Sequence, residues 1–534
     1  MAETRPRAKP VEMEPTLPHS PSDSPARWRT AALLALAIVL ALCVRACRLS
    51  AESAWCDEAL TLSVLDAPTL VEYWRNAFDV DPMARMVPVY HVVQYGWSRV
   101  FGASDEAVRW LSIVLGVACL PPLHGLVRRL IDGRAALLAV YLMALSQVHL
   151  YQSQEVRFYA LLLFLSLVSM VALQRALDTG RKRWWCAHGV ANTLMMWTHA
   201  FAPLFFCVQA IYLLLSIKVN RDLAVSPDKR TAPIEPRAPW WSGVRRALWW
   251  GLFHAAIGTV FLLWLRWLDF TVARESHAYH LMLITWRDVA NNFIVFAGGR
   301  PTRENPASYM PGGVSLDLLL AVLFAIALAA IVLSMLRRRT SRTGVALFLL
   351  WTLLPFLLLY AMSRIWTNVF FYRYVIYCLP PACALFAAGL LSLPGIHLRR
   401  GAVALALAAL AYQAVFVPRP LRADYRTAGR VIAADATDAT RVLALKEFNG
   451  IAVRYNTPLP EERIETYHGF DELCAAAEAH LRDHTPVCAV FYWWDRIDAF
   501  EARMRDAVDG TLITRHTFAG MPPLTACELH PPQP

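Results

Sequence analysis

The chain has 534 residues, 57% apolar and only 17% charged. Soluble domains run at about 45–50% apolar and about 25% charged residues, so this composition excludes a soluble enzyme, a disordered chain, a coiled coil and a small disulfide scaffold, and points to an all-α polytopic membrane protein. The net charge of +11 comes from 52 basic and 41 acidic residues; the basic ones fall between apolar runs, as in membrane-protein loops, and not in a nucleic-acid-binding patch.

Residues 1–29 carry Pro15, Pro18, Pro21 and Pro25 among mixed charges and read as a disordered cytoplasmic leader. The first apolar run is Thr30–Val44. Arg45 and Arg48 interrupt the region where a signal peptide would be cleaved, so the run is expected to stay as the first spanning helix. Further runs lie near 107–127, 135–150, 158–177, 185–200, 202–217, 247–265, 315–336, 344–362, 374–393 and 401–417, about eleven helices in all. Several are shorter than the roughly 20 residues that cross a ~30 Å bilayer. With the N-terminus inside, 25 basic residues fall in inside segments and 12 in the outside loops before residue 418. The positive-inside rule favours that orientation, and an odd number of spans puts the C-terminus outside.

Two outside loops are long, 48–105 and 266–314. In the first, Leu70, Val71, Trp74 and Phe78 share a helical face, as do Tyr90, Val93, Trp97 and Phe101 within Pro88–Phe101. Both stretches are expected to lie along the membrane surface. Residues 30–417 thus form the transmembrane part, and 418–534 change character. Asp424–Ala434 and Gly469–Arg482 read as helices; Val442–Glu447, Pro486–Tyr492 and Leu512–His516 read as strands. This predicts a small extracytoplasmic α/β domain without a nucleotide motif. Asn449-Gly450 suggests a hairpin, and Cys474, Cys488 and Cys527 could pair outside, in a combination the sequence leaves open.

Within the apolar runs His254 is the main polar exception, and ionisable groups collect at the outer helix ends. Ion-coupled transporters usually carry charge near the midplane, so the pattern favours a surface site over a transporter. Trp55-Cys56-Asp57-Glu58 follows the first run. Adjacent carboxylates beside apolar surface repel each other and lose hydration, which raises the pKa of one and suits it to accept a proton. A solvated pair capping the next helix is the plainer alternative. Ser153-Gln154-Glu155-Val156-Arg157-Phe158-Tyr159 lies between the third and fourth runs. Ser153 and Glu155 suit a helix N-terminus, while Glu155 with Arg157 could hold a cation and a phosphate. Trp197-Thr198-His199 joins two runs outside. Tyr372-Arg373-Tyr374 opens the tenth, where Arg373 either snorkels or binds a lipid phosphate.

These stretches, with Met86-Val87-Pro88-Val89-Tyr90 and Leu379-Pro380, resemble in order and spacing the GT-C membrane glycosyltransferases, in particular the bacterial branch grouped with protein O-mannosyltransferases and aminoarabinose transferases. The resemblance covers roughly residues 30–417. It implies inverting transfer of a hexose or pentose from a polyprenyl-phosphate donor to a lipid, glycan or protein acceptor at the outer face of a bacterial inner membrane. It implies Asp57 as base with Glu58 beside it, Glu155 as ligand of a divalent cation (Mg or Mn), and Arg157, Arg373 and Tyr374 on the donor phosphate. Tyr90 and His199 fall in the matching stretches. The sequence departs from the family at Val87-Pro88, with Arg85 nearby, where many relatives have Pro-Pro after an acidic residue or His. A second acid would then be Asp79 or Asp81. The alternative function is a transporter or flippase of lipid-linked sugars.

Overall fold

A computed structural model describes residues 24–47, 49–225, 240–267, 284–299, 313–337, 340–365, 369–416, 422–492, 496–518 and 524–531. The leader before residue 24 and much of the loop 266–314 lie outside the described residues.

All eleven apolar runs are helical. Eight give helices long and apolar enough to cross a membrane: Trp28–Ala51, Asp105–Leu130, Tyr159–Thr179, Gly243–Trp267, Leu316–Leu336, Arg342–Ile365, Tyr372–Ser392 and Ile396–Phe416. The other three are shorter or more polar. The run 135–150 breaks at Ser146, whose extended backbone separates Gly133–Leu145 from Gln147–Gln152. The run 374–393 begins as a 3-10 turn, Tyr372–Cys378, before the helix Leu379–Ser392. Pro380 and Pro381 have no N–H to offer the carbonyls four residues earlier, so a regular α-turn cannot form there.

The helix Leu379–Ser392 is the centre of the bundle, and every residue from Leu379 to Leu390 is buried. All-round burial explains its run of small residues, which let neighbouring backbones approach. A Cβ placed on Gly389 would stand 2.1 Å from the carbonyl oxygen of Ala327 on the helix Gly313–Leu336. At the periphery, Leu248, Trp249, Leu252, Leu262 and Leu263 of Trp240–Trp267 are exposed apolar surface suited to lipid.

His254 is not an isolated polar group. Its Nε2 lies 2.7 Å from Asn192 Nδ2, which donates to Gln209 at 2.7 Å, and Ser169 donates to Asn192 at 2.5 Å. This closed network satisfies buried groups that would otherwise be costly. Arg45 and Arg109 are also fully buried, so the interior holds more charge than the sequence suggested.

The helices Leu70–Val80 and Pro88–Phe101 form as expected. Their buried faces differ from the anticipated ones: Tyr73 and Ala77 in the first, and Tyr90, His91, Gln94 and Ser98 in the second. Tyr73 Oη meets His91 Nδ1 at 2.7 Å, so a polar contact joins the two helices. Val71, Val100 and Phe101 stay exposed, and Tyr90 turns inward.

The C-terminal residues form a mixed five-stranded sheet: β1 Arg441–Leu445, β2 Ile464–Tyr467, β3 Val487–Tyr492, β4 Leu512–Phe518 and β5 Leu524–His530, in the order β2-β1-β3-β5-β4. The first three are parallel, and β5 runs antiparallel to β3 and β4. Asn449-Gly450 makes no hairpin. It lies in the helix Glu447–Asn456, where buried Asn449 accepts from Tyr425 Oη and donates to the Val490 carbonyl, both at 2.9 Å. A specific side-chain bonding pattern overrides the local turn preference. All eleven cysteines are free; Cys474 and Cys527 pack on one side of the sheet and Cys488 on the other.

Gly389→Ala should lower stability by about 1–3 kcal/mol, the range for overpacked cores. Thermal unfolding of the detergent-solubilised protein measures it; an unchanged midpoint would mean that the helices separate freely.

Candidate active site

The short helix Cys56–Leu62 carries Asp57 and Glu58 in its first turn. It is held between the membrane helices and the C-terminal sheet. Trp55, Cys56 and Ala59 join the core that contains Tyr425, Ile432, Val442 and Ala526, and Asn456 donates to the Ala54 carbonyl at 2.8 Å. Successive side chains on one helical turn point in different directions, so the two carboxylates reach different surroundings.

Glu58 is completely buried. Its Oε2 pairs with Arg109 Nη2 at 2.9 Å and its Oε1 with Arg422 Nη1 at 3.0 Å, while Val156 N–H donates to Oε1 at 2.8 Å. Burial pushes its pKa up, but the two guanidinium groups and the hydrogen bonds outweigh this and hold it below the usual carboxylate value. Glu58 is therefore ionised and fully engaged, not poised to take a proton as one member of an acidic pair.

Asp57 keeps about a quarter of its side chain accessible. Its Oδ2 lies 3.8 Å from Arg157 Nη2 and 3.8 Å from Arg373 Nη1. Arg157 also donates to the Asp57 carbonyl at 3.1 Å and lies 3.5 Å from Asp81 Oδ2. Burial would lower the Arg157 pKa, yet Asp57 and Asp81 raise it overall, so it stays charged. Asp79, the other candidate acid, is exposed. Arg373 comes from the 3-10 turn, beside Tyr374, whose ring lies 5.4 Å from the ring of His199. His199 also contacts Phe158 at 5.2 Å, and Tyr90 meets the far edge of Phe158 at 6.3 Å. Asp57, Arg157, Arg373, Tyr374 and His199 thus converge, with Tyr90 one ring behind them.

Glu155 is 1% exposed, and neither carboxylate oxygen has a hydrogen-bond partner. Burial raises its pKa to about 7; Arg422 and Arg373 pull it down, while Glu58 and Asp57 push it up. A buried carboxylate without a donor is expensive, and it fits a group that receives a cation or a proton from outside the chain.

Two arginines absent from the sequence candidates, Arg109 and Arg422, complete the site. Arg109 donates to the carbonyls of Leu49, Glu52 and Ser53, pinning the segment before Asp57. Its signal was a lone arginine within the apolar stretch 107–117. Arg422 donates to the Tyr151 carbonyl at 3.2 Å and stacks over that ring at 4.5 Å. Nothing local marks it, because its partners lie more than 260 positions away.

Residues 85–227 match the family model for dolichyl-phosphate-mannose-protein mannosyltransferases. That range contains Tyr90, Glu155, Arg157 and His199. It bears out the resemblance to GT-C membrane glycosyltransferases. No curated protein matches the chain. Among solved structures, apo ArnT from Cupriavidus metallidurans is 12% identical, with 94% of this chain and 98% of that chain covered and a TM-score of 0.48. The same protein bound to undecaprenyl phosphate is 13% identical over 94% and 98% of the two chains, with a TM-score of 0.43. AglB from Archaeoglobus fulgidus, in complex with an inhibitory peptide and a dolichol-phosphate, is 11% identical over 87% of this chain and 69% of that one, with a TM-score of 0.47.

Two stability measurements test this electrostatic picture. Arg422→Met leaves Glu58 with one guanidinium and should cost about 3–5 kcal/mol, as when a buried pair loses a partner. A carboxyl whose folded pKa exceeds its unfolded value loses stability as pH rises from the unfolded pKa through the folded one. In chelator, wild type should therefore fall behind Glu155→Gln between about pH 5 and about pH 8; thermal melts across that range would expose a flat difference if Glu155 is already compensated.

Proposed function

We propose that this chain is a membrane glycosyltransferase that moves a hexose or pentose from a polyprenyl-phosphate carrier to a hydroxyl of a lipid, glycan or protein acceptor, with inversion, at the outer face of a bacterial inner membrane. The observation that carries the reading is Asp57, partly accessible and bracketed by Arg157 and Arg373 at 3.8 Å each. A carboxylate beside two guanidinium groups supplies a proton acceptor next to a binding place for an anionic leaving group.

In this reading the lipid tail stays in the membrane and the phosphate rests on Arg157 and Arg373. Tyr374 and His199 form the aromatic side of the cleft, against which a sugar ring would lie. Asp57 takes the proton of the acceptor hydroxyl. The acceptor oxygen then bonds to the anomeric carbon from the face opposite the phosphate, while the bond from that carbon to the phosphate oxygen breaks. The electron pair leaves with the polyprenyl phosphate, whose added charge the two arginines stabilise. Asp81 contacts the same Arg157 Nη1 that donates to the Asp57 carbonyl, and so helps to hold the guanidinium beside Asp57.

Glu155, with its unpartnered buried carboxylate, would hold a Mg²⁺ or Mn²⁺ ion together with donor phosphate oxygens. Such an ion supplies positive charge to the phosphate. Glu58 orients: its ion pairs fix the turn on which Asp57 stands.

Protein reconstituted in lipid and offered a panel of polyprenyl-phosphate sugars should release polyprenyl phosphate. Asp57→Asn should fold normally and lose about 10²–10⁴-fold in turnover, the range for general-base help. Wild-type turnover in that variant would remove Asp57 from the site. Lipid-sugar translocation without release would favour a flippase.

A further inference from the structure

Away from the cleft, among the described residues, Asp435, His516 and Glu528 bring one ligand atom each to within 4.8 Å of one another. Three different elements supply them. Asp435 ends the helix Tyr425–Asp435. His516 lies on β4 opposite Ala526, two residues from Glu528 on β5, so both side chains project from the same sheet face. Cys488 on β3 stands directly opposite Glu528 on that face.

Three observations separate this group from an ordinary surface ion pair. Glu528 is only 8% exposed and its Oε1 has no hydrogen-bond partner; nor does the buried Nε2 of His516. The His516 Nε2 to Glu528 Oε2 distance is 3.5 Å, longer than the roughly 2.7–2.9 Å of a charge-assisted hydrogen bond. Asp435 brings a second carboxylate to one imidazole, and it does so at a helix C-terminus, where negative charge is unfavourable. Among the described residues, two carboxylates and an imidazole thus converge, with His530 further along the same strand face, a donor set whose two negative charges a dication would balance.

We propose that Asp435, His516 and Glu528 form a second metal site, which takes a divalent transition ion of the zinc class. An imidazole with two carboxylate oxygens suits such an ion, whereas Mg²⁺ and Ca²⁺ prefer oxygen donors throughout. Asp435 is exposed and gives the ion its way in. The ion clasps the end of the helix to the β4–β5 hairpin. That helix starts three residues after Arg422, so metal binding braces the segment that completes the Glu58 pair.

Full-length protein in detergent, stripped with chelator and dialysed against Zn²⁺ or Mg²⁺, would be assayed for bound metal and for its unfolding midpoint. Wild type should keep one more equivalent of zinc than His516→Ala or Asp435→Asn, and zinc should raise its midpoint but not theirs. Asp435→Asn changes an exposed residue and guards against a folding artefact. Glu155→Gln should retain the extra equivalent, which separates this site from the cleft. An equal zinc content in wild type and both variants, or tighter retention of Mg²⁺ than of Zn²⁺, would overturn the proposal.

Discussion

The buried charge of Glu58 is the constraint around which the rest is arranged. An ion removed from water costs several kcal/mol unless it is paired and hydrogen-bonded. Here the compensation comes from three separate stretches: Arg109 at the head of a spanning helix, Val156 in the loop after Gln147–Gln152, and Arg422 at the entry to the C-terminal sheet. None of these stretches can shift without stranding a charge. The turn that bears Asp57 is held by the same contacts, so rigidity at one carboxylate sets the position of the next.

Around Asp57 the charges are held differently. Arg157 and Arg373 face Asp57, and Arg157 also faces Asp81, at 3.5–3.8 Å, so these acids do not hold the cations tightly. Loose pairs of this kind can be exchanged for a phosphate with little loss. Close bidentate pairs would have to be broken first. The tight contacts belong to Glu58, which anchors, and the loose ones to Asp57, where the proposed function calls for exchange.

Much of this was legible in the chain. Apolar runs gave the helices, because in a membrane the backbone has no other way to satisfy itself. Asp57, Glu155, Arg157 and Arg373 stood out as ionisable groups at helix mouths. What escaped is non-local. Arg422 has no periodicity or motif around it and acquires meaning only through Tyr151 and Glu58. Asn449-Gly450 carried a strong turn signal that two buried hydrogen bonds overrode. The strands β2 and β5 escaped as well; β2 has only four residues, too few to show a period. The expectation of one interacting acidic pair missed that Asp57 and Glu58 face different surroundings, because neighbours in sequence share composition, not surroundings.

The separation of 364 positions between Glu58 and Arg422 also bears on how the molecule is made. Chains emerge from the ribosome N-terminus first. The turn with Asp57 and Glu58 is therefore in place long before its second guanidinium exists. During that interval Glu58 has Arg109 and the Val156 N–H to offset its burial, but not Arg422. Arg422 and the C-terminal sheet that follows it are made last. A protein assembled in this order holds the Glu58 anchor incomplete until most of its chain has been made.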